Sequence, residues 1–415
     1  MVRHFTSIVL FALLFNSVQA QTDFTQLAVD DALEFAYNNN AELNQLFEQL
    51  HMLENEQKVI PGISDPQIMY TREGIGNGSN FNEQRLSVSQ TIDFPITIRN
   101  SRAIVQNNVR ALEARYNAAK LQVKVMVKSA YTKVAYAIEI VHLRQEQVDL
   151  AKRVKEIAEE RNKVGEISKL DVLQSSLQLA EAQNSFDDAI NQLQNARYEL
   201  FNSIGLNPED QSYGIDFPDT LRYIPIEFNQ DDVLESIADH PSVTENEFYI
   251  ESANANLKLN KSAYLPSLTG TYFNQDFGNG YDFNGFEVGF SIPLWFAVKQ
   301  QPRIKAASSN VKSMEWKLQN TVLLLKKEAE KAWHTFANSR DQIERFNAST
   351  RQESAELLAL TQEAYSVGEI PLITFLEAQR TYLISQERYL TALRNYQLNA
   401  INIEQFLQQD LTYVD

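Results

Sequence analysis

Two stretches of the chain alternate apolar and polar residues with a period of two. Over residues 83–94 one parity reads Leu86, Val88, Gln90, Ile92 and Phe94, and the other Ser87, Ser89, Thr91 and Asp93. Over residues 283–294 Phe286, Val288, Phe290, Ile292 and Leu294 alternate with Glu287, Gly289, Ser291 and Pro293. This is the pattern of strands with one apolar and one polar face. Less regular stretches, 66–73 and 265–274, precede them and carry Tyr70, Tyr272 and Phe273, with Gly/Asn-rich segments at 74–80 and 274–282 between. Each pair reads as a β-hairpin, over 66–94 and 264–294, with strands of about 10–12 residues, long enough to cross an outer membrane at a tilt. Leu86, Val88, Ile92, Phe286, Val288, Phe290 and Ile292 are then expected to face lipid.

The rest of the chain has a helical period. Residues 96–164 and 303–367 contain no glycine and no proline and are rich in Ala, Leu, Gln, Glu, Lys and Arg, all good helix formers. As single helices such runs would extend about 95 Å or more. Returning helices are expected over 166–204 and 371–408. Ser168 and Asp171 resemble a capping box, and Pro371 suits a first helical turn. Leu170, Leu173 and Leu177, and Ile373, Leu376, Leu383, Leu390 and Leu393, recur at three- and four-residue spacings or their multiples, which predicts a seam between helices packed lengthwise. The openings, 21–60 and 229–263, also read as helical.

Val-Gly-Glu-Ile occurs at 164–167 and again at 367–370; Asp-Asp-Ala-Leu-Glu at 30–34 returns as Asp-Asp-Val-Leu-Glu at 231–235; Pro66 matches Pro266. Three matches in the same order at a nearly constant offset identify a tandem duplication. The repeats are expected over 21–206 and 230–415. A linker over 207–229 holds Pro208, Gly214, Pro218 and Pro225.

Composition narrows the class. There are 13 glycines and 11 prolines in 415 residues, too few for an ordinary all-β domain, and no cysteine, hence no disulfide framework or zinc–thiolate site. A net charge of −17 argues against a nucleic-acid partner. Residues 1–20 read as a secretory signal: Arg3 and His4, an apolar core over 5–15, then Val18 and Ala20 before Gln21. His51, His142, His240 and His334 lack ligand spacing, and the five methionines do not cluster. Neither a metal site nor a cofactor is expected. No nucleophilic triad, phosphate-binding loop or carboxylate pair points to an enzyme.

No stretch is long and apolar enough for a membrane helix, which leaves the strands. Four strands cannot lie in lipid as an open sheet, because edge N–H and C=O groups would be unpaired. Several chains must therefore share one barrel. Two chains would give eight strands, whose interior side chains fill; three would give twelve and a channel. The alternative of another class is a structural periplasmic coiled-coil or adaptor protein, which leaves the strand alternation unexplained.

Helix, β-hairpin, very long helix, Gly-containing turn and returning helix, twice over behind a signal peptide, resembles the outer-membrane efflux protein family, the TolC-like proteins. The most specific segments are 164–173 and 364–378. The resemblance implies a mainly α fold with a small β part: a homotrimer whose four strands per chain build a twelve-stranded barrel in outer-membrane lipid, continued by a periplasmic tunnel of antiparallel helical hairpins. It implies the exit duct of a tripartite efflux pump. The partners would be a periplasmic adaptor and an inner-membrane transporter of the resistance-nodulation-division or ABC type. The duct of a type I secretion system is the alternative within the family. Asp65-Pro66 is similar to the heavy-metal efflux branch. By resemblance the adaptor docks on Val164, Gly165, Glu166, Ile167 and Val367, Gly368, Glu369, Ile370. The family's gating tyrosine falls on Tyr365. Its two aperture acids fall on Thr374 and Glu377, one lost and one kept, and Asp171 is the acid of the first copy.

Overall fold

The structure, a computed structural model, describes residues 26–75, 83–206, 215–278, 280–292, 296–346 and 350–413. The expected signal segment, most of the first hairpin loop, Pro208, Gly214, Pro293 and Leu294 lie outside the described residues. Each repeat runs from short helices through a β-hairpin into a long helical hairpin.

In the first repeat α1 (Val29–Asn39) and α2 (Ala41–Lys58) are separated at Asn40, whose side chain accepts from the Glu42 and Leu43 amides and starts α2 afresh. Strands β1 (Gln67–Glu73) and β2 (Glu83–Ile92) follow. Next comes α3 (Pro95–Lys163), a single helix of 69 residues, with Pro95 in its first turn and Arg161 and Lys163 in its last. The returning helix α4 (Lys169–Ile204) opens on a capping box between Ser168 and Asp171 and ends at Gly205 in the left-handed conformation.

The second repeat differs in detail. Its opening is α5 (Gln230–Glu235), a 3₁₀ turn (Ser236–Asp239) and α6 (Pro241–Ser262). His240 caps α6, its Nδ1 accepting from the Ser242 amide at 3.1 Å, and burial lowers its pKa. Strands β3 (Ser267–Asp276) and β4 (Asp282–Ser291) lead into α7 (Phe296–Arg345), α8 (Arg351–Ser366) and α9 (Leu372–Leu407). The single helix expected over 303–367 is therefore corrected at both ends of α7. The helix begins at Phe296 and carries Pro302 inside it, at the loss of a backbone hydrogen bond. It then passes into a wider π-type winding at Phe346 and Thr350. The sequence across this point, Asn-Ala-Ser-Thr over 347–350, holds mostly residue types of low helix propensity.

The four strands form one antiparallel sheet in the order β1-β2-β3-β4, so β1 and β4 are its outer strands. The middle pairing, β2 with β3, joins the two repeats: Val88 lies opposite Tyr272, and Ser87 opposite Phe273. Register sorts the sheet by parity. Even residues such as Ile68, Val88, Tyr272 and Phe286 stand in one row, and odd residues such as Ser87, Phe273 and Gly285 in another.

At the middle of the long helices two apolar clusters hold the repeats together, one around Val127, Tyr131, Leu200 and Phe217, the other around Ile237, Phe336, Tyr396 and Ile403. The described part of the linker docks there. The Tyr131 hydroxyl donates to the Leu27 carbonyl, and the Tyr396 hydroxyl donates to the Ile224 carbonyl and accepts from the Ile226 amide. The C-terminal segment closes the same level. Glu404 accepts from the Leu411 and Thr412 amides and the Thr412 hydroxyl, while Lys128, 2% exposed, reaches Glu404 at 2.8 Å and Asp410 at 2.5 Å. A buried amine with two carboxylate partners fixes α3 of one repeat to α9 of the other.

Candidate functional site

The Val-Gly-Glu-Ile turns close both helical hairpins in the same way. Gly165 and Gly368 have φ of 81° and 86°, a left-handed conformation natural to glycine. In each, the following glutamate amide reaches back five residues, Glu166 to the Arg161 carbonyl and Glu369 to the Ala364 carbonyl, both at 2.9 Å. Val164 and Val367 are exposed at the tips.

The two tips are held together by a residue that the sequence reading missed. Arg161, at the end of α3, donates from Nε to Glu166 of its own tip at 3.1 Å and from Nη1 to the Tyr365 carbonyl of the other at 3.1 Å. Its guanidinium also lies 5.7 Å from the centre of the Tyr365 ring. A methyl group on Gly368 would come within 2.8 Å of Arg161 Nη2, so the second tip's glycine leaves room for the arginine. Arg161 could have been found from the repeat, because Ala364 stands at the matching place and Tyr365 matches Asn162.

Tyr365 is 2% exposed and stacks on Phe375 with ring centres 5.5 Å apart, in a small core with Leu150, Val154 and Leu372. Its hydroxyl is buried without a hydrogen-bond partner. Burial pushes the hydroxyl pKa up, the Arg161 charge opposes this and Asp171 adds to it. Asp171 itself is engaged in the capping box, its Oδ2 accepting from the Ser168 amide at 3.0 Å and hydroxyl at 2.8 Å. Thr374 and Glu377 both stand exposed on α9, one turn apart.

The expected leucine seam needs correction. Leu170, Leu173 and Leu177 are exposed, Leu177 by 70%. The face α4 buries carries Ser175, Ala182 and Ala189, seven residues apart, with Arg197 beyond. Small residues at a heptad spacing allow close approach to α3. The leucine stripe is left on the outside, a surface a second chain could cover. In the second hairpin Leu383 and Leu393 are buried, whereas Ile373 is exposed.

The sheet offers the second functional surface. Leu86, Val88, Ile92, Phe286, Val288, Phe290 and Ile292 are all exposed, Phe286 by 70%. Apart from Ile292, just beyond β4, they lie on the even face of the strands with Ile68, Tyr70, Leu268 and Tyr272. Of the polar even residues, Arg72, Gln84, Asn274 and Asn284 fall at the loop ends of the strands, whereas Gln90 lies within the band, opposite Gly270. A band of apolar residues ending in polar ones matches a membrane slab seen from outside a barrel. The odd face carries Ser87, Ser89, Thr91, Thr269 and Thr271, with Thr91 and Thr269 hydrogen-bonded across strands. No helix among the described residues is long and apolar enough to cross a membrane.

The comparisons agree with this geometry. The profile of the family described as "Outer membrane efflux protein" matches residues 69–206 and 234–408, one match in each repeat. The chain belongs to that family. It is similar in fold to the outer-membrane channel OprN, with a TM-score of 0.74 at 15% identity over 91% of this chain and 89% of that one. The Campylobacter jejuni CmeC outer membrane channel gives 0.73 at 17% identity over 91% and 85%. The outer membrane protein VceC of Vibrio cholerae gives 0.73 at 15% identity over 91% and 95%. No curated protein sequence matches the chain. The chain is thus an outer-membrane protein of the efflux class with a periplasmic helical part, and the proteins it resembles are channels rather than enzymes.

Proposed function

We propose that three copies of this chain assemble into one duct, the outer-membrane exit of a tripartite efflux pump. The observation that carries the reading is the open sheet: four strands with an apolar even face, whose outer strands β1 and β4 would meet those of neighbouring copies. Twelve strands give a barrel wide enough for a water-filled bore. The duplication supports this closure. The chain already joins one repeat to the next through β2 and β3, and the same join between copies continues the ring. The outward leucine stripe on α4 would be covered in the same assembly.

The helical hairpins form the periplasmic tunnel and their tips its far end. The Val-Gly-Glu-Ile turns, with Val164 and Val367 exposed, are the surface for a periplasmic adaptor, through which an inner-membrane transporter of the resistance-nodulation-division or ABC type delivers cargo. Tyr365 acts from within the tip core, as a wedge between α8 and α9. Glu377, and with it Thr374, lines the aperture, so the ring favours cations. That preference agrees with the heavy-metal efflux resemblance of Asp65-Pro66. Asp171 acts through the start of α4 and its charge on Tyr365.

The test is the mass of the detergent-extracted assembly together with its conductance in a planar lipid bilayer. Three chains and a discrete conductance are expected. A monomer without conductance would overturn the reading in favour of a structural periplasmic protein.

A further inference from the structure

The polar face of the sheet carries apolar rings where water would be expected: the exposed Phe283 and, edge-on to it with ring centres 6.2 Å apart, Phe273. Phe273 is 8% exposed and its ring lies flat over Gly285, where a methyl group would come within 2.2 Å of it. Only a glycine opposite lets the phenylalanine lie against the sheet. Arg85 covers the other side of the ring, its guanidinium 4.0 Å from the ring centre, and reaches across it to Glu287 at 2.5 Å. Register shows what this spans. Arg85, on β2, pairs with Gln275; Ser87 pairs with Phe273; Glu287, on β4, pairs with Thr271. The ion pair thus crosses two rows and three strands, over the Phe273 ring between them. Gln275 in turn bonds Glu83. Glycine, ring and guanidinium form a fixed stack standing off the odd face in the loop-side half of the strands.

We propose that this stack is a constriction inside the outer half of the barrel, a second selectivity ring distinct from the tips. The proposal rests on the shared-barrel reading above, in which the odd face lines the bore. Twelve strands about 4.8 Å apart and tilted by about 40° close at a radius of about 12 Å. A ring and a guanidinium stacked on the sheet reach about 8 Å inward, leaving a bore of roughly 4 Å radius. Each copy brings one positive and three negative side chains to this end of the odd face: Arg85, Glu287, Glu83 and, opposite Glu83, Glu73. The bore therefore favours small cations over anions, and Arg85 limits that preference.

The test is single-channel recording under a salt gradient. Arg85→Ala should raise conductance about twofold and strengthen cation preference; Glu287→Gln should shift the reversal potential toward anions. The charge swap Arg85→Glu with Glu287→Arg should restore the wild-type preference. Because the chain has no cysteine, a single thiol reports alone. A positively charged methanethiosulfonate should cut conductance by half or more in Ser87→Cys, opposite Phe273, and leave Val88→Cys, on the apolar face, unchanged. These thiol variants keep Arg85 and Glu287, so they decide the matter even if Arg85→Ala fails to assemble. Wild-type channels with no response in Ser87→Cys, or with unchanged selectivity in Glu287→Gln, would overturn the constriction alone. Absence of any wild-type conductance would instead overturn the duct.

Discussion

The two helical hairpins descend from one duplicated design, yet the first is built as a strut and the second as a part that can shift. The outgoing arm of the first, α3, is one helix of 69 residues, and α4 lies against it through small residues in a strict heptad. The corresponding arm of the second is interrupted between α7 and α8 by the π-type winding at Phe346 and Thr350. Helices bend most readily where the hydrogen-bond ladder is broken. Among its described residues the second hairpin also buries five polar atoms without hydrogen-bond partners, Gln300 Oε1, Tyr365 Oη, Gln379 Nε2, Ser385 Oγ and Gln397 Oε1. Such groups weaken a packed seam. The duplication thus supplied a scaffold, and the departures between copies tell which half is free to move. Arg161, Tyr365 and the substitution of Thr374 for the acid seen at Asp171 are departures of this kind.

The comparison can be broken first where the two hairpins are jointly anchored. Lys128→Ala leaves Glu404 buried and without its ammonium partner, and should cost about 3–5 kcal/mol of folded-state stability, read as a large drop in the thermal or urea midpoint. Asp410 provides the pH counterpart. Burial raises its pKa, but hydrogen bonds and charge from Lys124 and Lys128 hold it below the ordinary value of 3.8. A depressed carboxyl stabilises the fold above its unfolded pKa and loses that contribution as pH falls through the folded one. The C-terminal segment should therefore stay docked at neutral pH and loosen below about pH 4, followed by amide exchange at Leu411 and Thr412.

The tips give a finer contrast. Gly165→Ala and Gly368→Ala both force an alanine into the left-handed region, at about 1–2 kcal/mol each. Only the second also displaces Arg161, since nothing lies within 4 Å of the added carbon at Gly165. Gly368→Ala should be the more damaging of the two, by equilibrium unfolding and by conductance. Glu377→Gln should leave stability unchanged and lower cation preference in reversal-potential measurements. Tyr365→Phe should do least. Its hydroxyl has no partner to lose, so stability should hold or rise slightly and conductance should stay the same.

Much of this was legible in the residues. Strand parity identified the apolar face because a half-buried or lipid-facing strand must alternate, and Leu86, Val88, Phe286 and Phe290 do so without exception. The tips were legible because a four-residue motif with glycine returns at a fixed offset. What remained hidden depends on neighbours rather than on local pattern. The leucine spacing of α4 announces a seam but not which chain fills it, and Ala182 and Ala189 face α3 instead. The π-type winding at Phe346 and Thr350 has no glycine or proline nearby to mark it. Arg161 looks like any basic residue in a last helical turn until its side chain is seen between the tips. Phe273 reads as an interface aromatic, and only its parity and Gly285 opposite it place it on the polar face.

The claim that Arg161 holds the second tip against the first is tested most directly by single-channel conductance of Arg161→Ala beside the wild type, in assemblies of equal mass. Freed of its bonds to Glu166 and the Tyr365 carbonyl, the second hairpin should swing outward and conductance should rise several-fold. Equal conductance in the two proteins would contradict the latch and with it the division of roles between the hairpins.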